Sequence, residues 1–86
     1  MSIEEALSRL SEVPESPELT GQEPLPRVLA VAKILQAMAE VDERLRDVRR
    51  EAILELRRQG MTIRQVAEAV GLSPGRVDQI SRNSRV

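Results

Sequence analysis

The sequence predicts an all-α fold, a small helical domain, and three observations support this. Apolar residues make up 41% of the 86 residues, yet Phe, Trp and Tyr are absent, so any core has to consist of aliphatic side chains and methionine. No stretch alternates apolar and polar residues as a half-buried strand does. Residues 27–59 contain no glycine or proline, and their apolar residues recur at spacings of three and four, which is typical of a helix.

Residues 1–26 are predicted to be an acidic segment that consists of a short helix and a proline-rich linker. Apolar residues at helical spacing follow Ser2, which is a suitable N-cap. Residues 11–26 hold four of the five prolines, and we expect them to be extended or irregular. Residues 27–86 are expected to form the helical domain.

The long apolar stretch changes character along its length, because its first half is apolar on nearly every face and its second half is mostly charged. The sequence leaves open whether two helices meet near residues 40–43 or one long bent helix runs through them. A helix that is apolar all round has to be buried. Residues 27–41 are therefore predicted to form a homodimer interface, the alternative being that the N-terminal segment folds back over them. The predicted interface residues are Val28, Val31, Ile34, Leu35 and Met38.

Residues 61–82 have the pattern of two short helices joined by a glycine turn. Thr62 opens a capping box, so the first helix is predicted to begin directly after it. Gly71 ends this helix, since glycine readily adopts the left-handed conformation. Ser73, which a proline follows, then caps a second helix over residues 73–82. The residues predicted to be buried in the pair are Ile63, Val66, Ala67, Val70, Leu72, Val77 and Ile80.

This pattern resembles the helix-turn-helix family of DNA-binding proteins, with the small Ala67 where the two helices approach each other. The segment GLSPGRVDQI is similar to the second helix of the last DNA-binding region, region 4, of bacterial sigma factors. The other sigma regions are missing from the sequence. The resemblance implies a small bacterial-type regulator that binds double-stranded DNA sequence-specifically, with residues 73–82 in the major groove. We expect it to be a repressor.

The resemblance also implies roles for individual residues. Arg76 is suited to pair with guanine and Gln79 with adenine, whereas Asp78 either accepts from a cytosine amine or simply supports the helix. The predicted base-reading residues are Ser73, Gly75, Arg76, Asp78 and Gln79. The predicted phosphate contacts are Thr62, Arg64, Arg82 and Arg85.

Charge is distributed unevenly along the chain, although the net charge is only −1. Six Glu and one Arg give residues 1–26 a charge of −5. Six Arg against two acidic residues give residues 57–86 a charge of +4. A basic C-terminal region favours a nucleic-acid partner.

The composition argues against an enzyme. The sequence has no His, no Cys and no glycine-rich loop that would hold a phosphate, so we expect no catalytic residue, no metal and no cofactor. Neither a secretion signal nor a membrane-spanning run is apparent, so a cytoplasmic location is expected. The competing hypothesis is a protein-interaction module that binds RNA polymerase, a sigma factor or another regulator, with residues 1–41 as a contact surface.

Overall fold

The computed structural model describes residues 1–21 and 23–82, and these residues form helices and turns without any strand. The described α-helices are α1 (Ile3–Glu12), α2 (Pro17–Thr20), α3 (Pro24–Arg58), α4 (Ile63–Val70) and α5 (Pro74–Arg82), with a 3₁₀ helix (Val13–Glu15) between α1 and α2. The predicted all-α fold is confirmed. The chain divides into two compact units, unit 1 (Met1–Glu40) and unit 2 (Val41–Val86).

The segment that follows α1 is largely helical, so the prediction of an extended or irregular linker is wrong. α1 begins as predicted, because the Ser2 Oγ accepts a hydrogen bond from the Glu5 backbone N at 3.1 Å. Pro14 is the second residue of the 3₁₀ helix, and Pro17 is the first residue of α2. A proline is tolerated there, since the N–H that it lacks would have no partner within the helix. The prolines therefore start helices here.

α3 settles the question that the sequence left open near residues 40–43, because it continues through them as one helix. Asp42 does not begin a new helix. Its Oδ2 instead accepts a hydrogen bond from the Arg46 Nε, one turn further along, at 2.9 Å. The chain leaves α3 at Gly60, and the Arg57 Nη1 donates to the Met61 carbonyl oxygen at 3.0 Å across this turn.

Unit 2 has a small aliphatic core to which three helices contribute. Five of its described residues are buried and at most 4% exposed, namely Ile53 from α3, Val66 and Ala67 from α4, and Val77 and Ile80 from α5. Leu56, Met61 and Ile63 pack against them and are partly buried. This core fixes the positions of α4 and α5.

Of the residues predicted to be buried in this core, Ile63 is only partly buried and two others are exposed. Val70 is 47% exposed and Leu72 is 36% exposed. Both lie at the end of α4, where the chain turns at the edge of the core, and both line an open groove with Ala52 and Leu56 of α3. Helical spacing predicts Val70 on the inner face, but no element within the described residues covers this last turn completely.

Unit 1 is different, because none of its described residues is buried. Of the residues predicted for the dimer interface, Ile34 is half-buried. The others remain 38–63% exposed, namely Val28, Val31, Leu35 and Met38. The N-terminal segment lies beside this part of α3 and lines an apolar groove with it, but it leaves most of the face open.

Candidate nucleic-acid interface

The first helix of the predicted motif begins as the sequence indicates. The Thr62 Oγ1 accepts a hydrogen bond from the Gln65 backbone N at 3.1 Å, and the Gln65 Oε1 accepts one from the Thr62 backbone N at 2.8 Å. These two bonds form the capping box and give α4 a fixed start. α4 ends at Gly71, whose φ of 75° lies in the left-handed region that favours glycine.

The second helix starts at the predicted cap. The Ser73 Oγ accepts a hydrogen bond from the Arg76 backbone N at 3.1 Å, and α5 begins with Pro74. Val77 and Ile80 turn inward to the core of unit 2. The opposite side of α5 is therefore free to contact a ligand.

Two predicted base-reading residues contact each other on this exposed side. The Arg76 Nη1 donates a hydrogen bond to the Gln79 Oε1 at 3.1 Å. A guanidinium has five N–H donors, so most donors of Arg76 remain available, as do both N–H groups of Gln79. Sequence reasoning assigned the two residues separate roles and missed this bond, although their i, i+3 spacing on a helix indicates it.

Asp78 is paired with Arg82, which is one turn further along α5. The Arg82 Nε lies 3.2 Å from the Asp78 Oδ1 and 3.1 Å from its Oδ2. The Asp78 side chain is 36% exposed and that of Arg82 is 79% exposed. This geometry favours the interpretation of Asp78 as a helix-supporting acid. The carboxylate also offsets the positive charge of Arg82, which is a predicted phosphate contact.

Two further predicted phosphate contacts lie at the start of α4. Thr62 and Arg64 are both exposed there. Arg85 lies outside the described residues. Arg57 completes the end of α3 by its bond to the Met61 carbonyl oxygen.

Packing among residues 1–21 and 23–82 does not require a glycine at position 75. A Cβ atom at this position would meet no atom within 4 Å, and the backbone has no positive φ here. A glycine in a helix costs up to about 1 kcal/mol relative to alanine. The close approach of α5 to DNA at Gly75 therefore stays a prediction from the sequence.

Gly75→Ala is expected to stabilise unit 2 and to weaken DNA binding at the same time. The alanine should raise the unfolding free energy by about 0.4–1 kcal/mol, because it restricts the unfolded chain without a clash. Its methyl group would stand between α5 and a base edge. Thermal melts and fluorescence anisotropy on the same samples measure the two effects. Unchanged DNA affinity would show that α5 does not approach DNA at this point.

Asp78→Asn is expected to strengthen DNA binding severalfold and to make it more sensitive to salt. The substitution removes a negative charge beside the phosphates and releases Arg82 from its ion pair. Removal of one exposed i, i+4 pair should cost only about 0.3–0.5 kcal/mol of stability. Anisotropy titrations at several salt concentrations measure this. A loss of discrimination at one base pair would instead identify Asp78 as a base-reading residue.

Two other classes of feature do not occur within residues 1–21 and 23–82. No group of three or more Asp and Glu side chains there is placed to hold a metal ion. No helix in this part of the chain is long and apolar enough to cross a membrane.

Comparison with known proteins points to the same helices as the geometry does. A family model described as a homeodomain-like domain matches residues 38–85, which is more than half of the chain. The match includes α4 and α5 together with the part of α3 that contributes to their core. No curated protein and no solved structure matches the chain.

Proposed function

Because the chain belongs to the family of homeodomain-like helix-turn-helix domains, which makes it a small helix-turn-helix DNA-binding protein, we propose that it is a sequence-specific transcriptional regulator. One observation carries this proposal. Gly75, Arg76 and Gln79 are exposed on α5, whereas Val77 and Ile80 are buried beneath them. In a helix-turn-helix the second helix lies in the major groove, with the residues of its N-terminal part at the base edges.

The exposed side of α5 has the chemistry to read bases. Arg76 is suited to the O6 and N7 atoms of guanine, and Gln79 to the N6 and N7 atoms of adenine. Because the two side chains are hydrogen-bonded, we propose that they read neighbouring base pairs as one unit. Ser73, at the N-terminus of α5, is proposed to contact a phosphate or a base edge with its hydroxyl.

Affinity in the proposed complex comes mainly from phosphate contacts. Unit 2 contains ten Arg and seven acidic residues, a net charge of +3, so we expect moderate affinity that falls as salt rises. We assign phosphate contacts to Thr62, Arg64, Arg82 and Arg85. A homodimer that reads two half-sites about 34 Å apart would add the affinity that a single unit lacks.

The biological role proposed is that of a non-enzymatic bacterial-type repressor. A helix-turn-helix unit that occupies a promoter blocks access of RNA polymerase to it. The sigma-like sequence of α5 supports a target in promoter DNA. A regulator of this type works on cytoplasmic DNA.

Selection from a random duplex library tests the proposal. The full chain should enrich a shared motif, and the motif should be two-fold symmetric if a homodimer binds. Anisotropy with the enriched duplex and a scrambled one, over a salt series, should give specific binding at least about a thousandfold tighter than non-specific binding. Equal binding to both duplexes would contradict sequence-specific reading.

The second candidate is a protein-interaction module, and the open apolar face of unit 1 favours it. Such a module would enrich no DNA motif. It would instead bind RNA polymerase, a sigma factor or another regulator through residues 1–41. If the chain bound purified polymerase but no DNA duplex, the result would support the protein-interaction module over the regulator.

A further inference from the structure

Unit 1 lacks the buried core that its helices need. α1 has ten residues and α2 has four, and helices this short are marginal in water unless they pack against something. Five of the described residues of unit 2 are buried, whereas none of those of unit 1 is. The large apolar side chains that stay exposed in unit 1 include Ile3, Leu7, Leu25, Val28, Leu29 and Leu35, at 58–77%.

The lining of an open groove in unit 1 determines which kind of surface can pack over the groove. Its lining is entirely apolar, with Leu10, Val13, Pro14 and Leu19 on one side and Val31, Ile34, Leu35 and Met38 of α3 on the other. The groove has a volume of about 280 Å³. Because no polar side chain lines it, a matching surface has to be apolar as well. Unit 1 itself offers such a surface, since Leu25, Val28 and Leu29 are exposed along α3 at 69%, 63% and 58%.

The exposed area of the chain has the size that a stable dimer requires. The chain exposes 7062 Å², whereas a folded monomeric protein of 9.6 kDa exposes about 5,100 Å². The excess is therefore about 2,000 Å². A typical stable interface buries only about 800 Å² on each partner, and obligate homodimers bury more. The excess belongs to the whole chain, and an interface of typical size on unit 1 would need less than half of it.

We infer that unit 1 is half of a shared core, which a second copy of the chain completes. The same apolar surface is used twice, as in a two-fold symmetric dimer. Unit 1 then folds as it dimerises, so its stability depends on protein concentration. This inference rests on the homodimer of the proposed function and adds the interface of that homodimer. The test of the inference does not require DNA.

Sedimentation equilibrium of the full chain, together with thermal melts over a hundredfold range of concentration, tests the inference. The expected mass is twice 9.6 kDa, with a Tm that rises with concentration. Leu35→Glu places a charge in the groove, at a side chain that is 60% exposed in the single chain. It should weaken dimerisation more than about thirtyfold without a cost to unit 2.

Gln36→Glu is the matched control, because Gln36 is exposed on the same helix, does not line the groove and gains the same charge. It should dimerise like the unaltered chain. Hydrogen exchange of amides in α4 and α5 shows whether Leu35→Glu leaves unit 2 folded, as expected. A mass of 9.6 kDa with a constant Tm at all concentrations, or equal dimerisation of both variants, overturns the inference.

Different experimental results would contradict the DNA-reading function and the shared core of unit 1. A dimer that enriches no duplex would leave the shared core standing and would contradict the DNA-reading function. A monomer that enriches a motif would contradict the shared core alone. A monomer whose helix content rises only when RNA polymerase is added would also overturn the inference and assign the groove to a foreign partner.

Discussion

Ala67→Glu is expected to unfold unit 2 at room temperature. Ala67 is 2% exposed and belongs to the cluster formed by Ile53, Val66, Val77 and Ile80. A glutamate here would bring a charge into a site where none of the described residues is a buried polar group that could pair with it. Such an uncompensated charge costs several kcal/mol, which is comparable to the whole stability of a small domain. Five of the described residues of unit 2 are buried in this cluster, so it is small and has little capacity to rearrange.

Ala69→Glu is the matched control, because Ala69 is exposed on the same helix and is replaced by the same side chain. Its effect should stay within about 0.5 kcal/mol, as for most surface substitutions. Far-ultraviolet circular dichroism during urea titration measures both variants. If Ala67→Glu kept the native midpoint, α4 and α5 could not pack in the arrangement described here.

The parts of the fold that the sequence predicted well are those determined by local chemistry. Thr62 and Ser73 were identified as caps because a hydroxyl before a helix satisfies backbone N–H groups wherever the rest of the chain lies. Gly71 was identified as the turn for a similarly local reason. These signals positioned α4 and α5 before any tertiary contact was known.

The predictions that were wrong concern features that depend on contacts between different elements of the chain. Proline-rich composition suggested a linker, but Pro14 and Pro17 occupy helix starts, where proline is compatible with a helix. Helical periodicity identified the apolar face that includes Val70, yet it could not show how far along that face the core extends. Burial depends on neighbouring elements, and spacing within one helix contains no information about them.

The candidate site was predictable in its residues but not in their mutual contacts. Exposure of Arg76 and Gln79 follows from the inward position of Val77, which the period of the helix gives. Side-chain rotamers determine the bond between Arg76 and Gln79 and the pairing of Asp78 with another side chain. The sequence pattern does not specify these rotamers. These contacts change the prediction for the interface, because they join residues that were treated as independent.

Arg76→Ala is expected to cause the largest loss of sequence-specific binding. The loss of a bidentate contact to guanine costs about 1–3 kcal/mol, or about 5-fold to 150-fold in affinity for the selected duplex. A scrambled duplex should lose much less, since only one positive charge is removed. Anisotropy titrations with both duplexes give the two losses. Arg44→Ala removes the same side chain from an exposed position on α3 and should change both affinities only slightly.

A double-mutant cycle with Gln79→Ala then tests whether the bonded pair reads DNA as one unit. Because the Arg76 Nη1 lies 3.1 Å from the Gln79 Oε1, each single substitution also releases the other side chain. The loss in the double variant should therefore be smaller than the sum of the two single losses by at least about 0.5 kcal/mol. Additive losses would mean that the two residues contact DNA independently. Equal losses on selected and scrambled duplexes would instead make Arg76 a phosphate contact, and base reading would then rest on Gln79 and its neighbours.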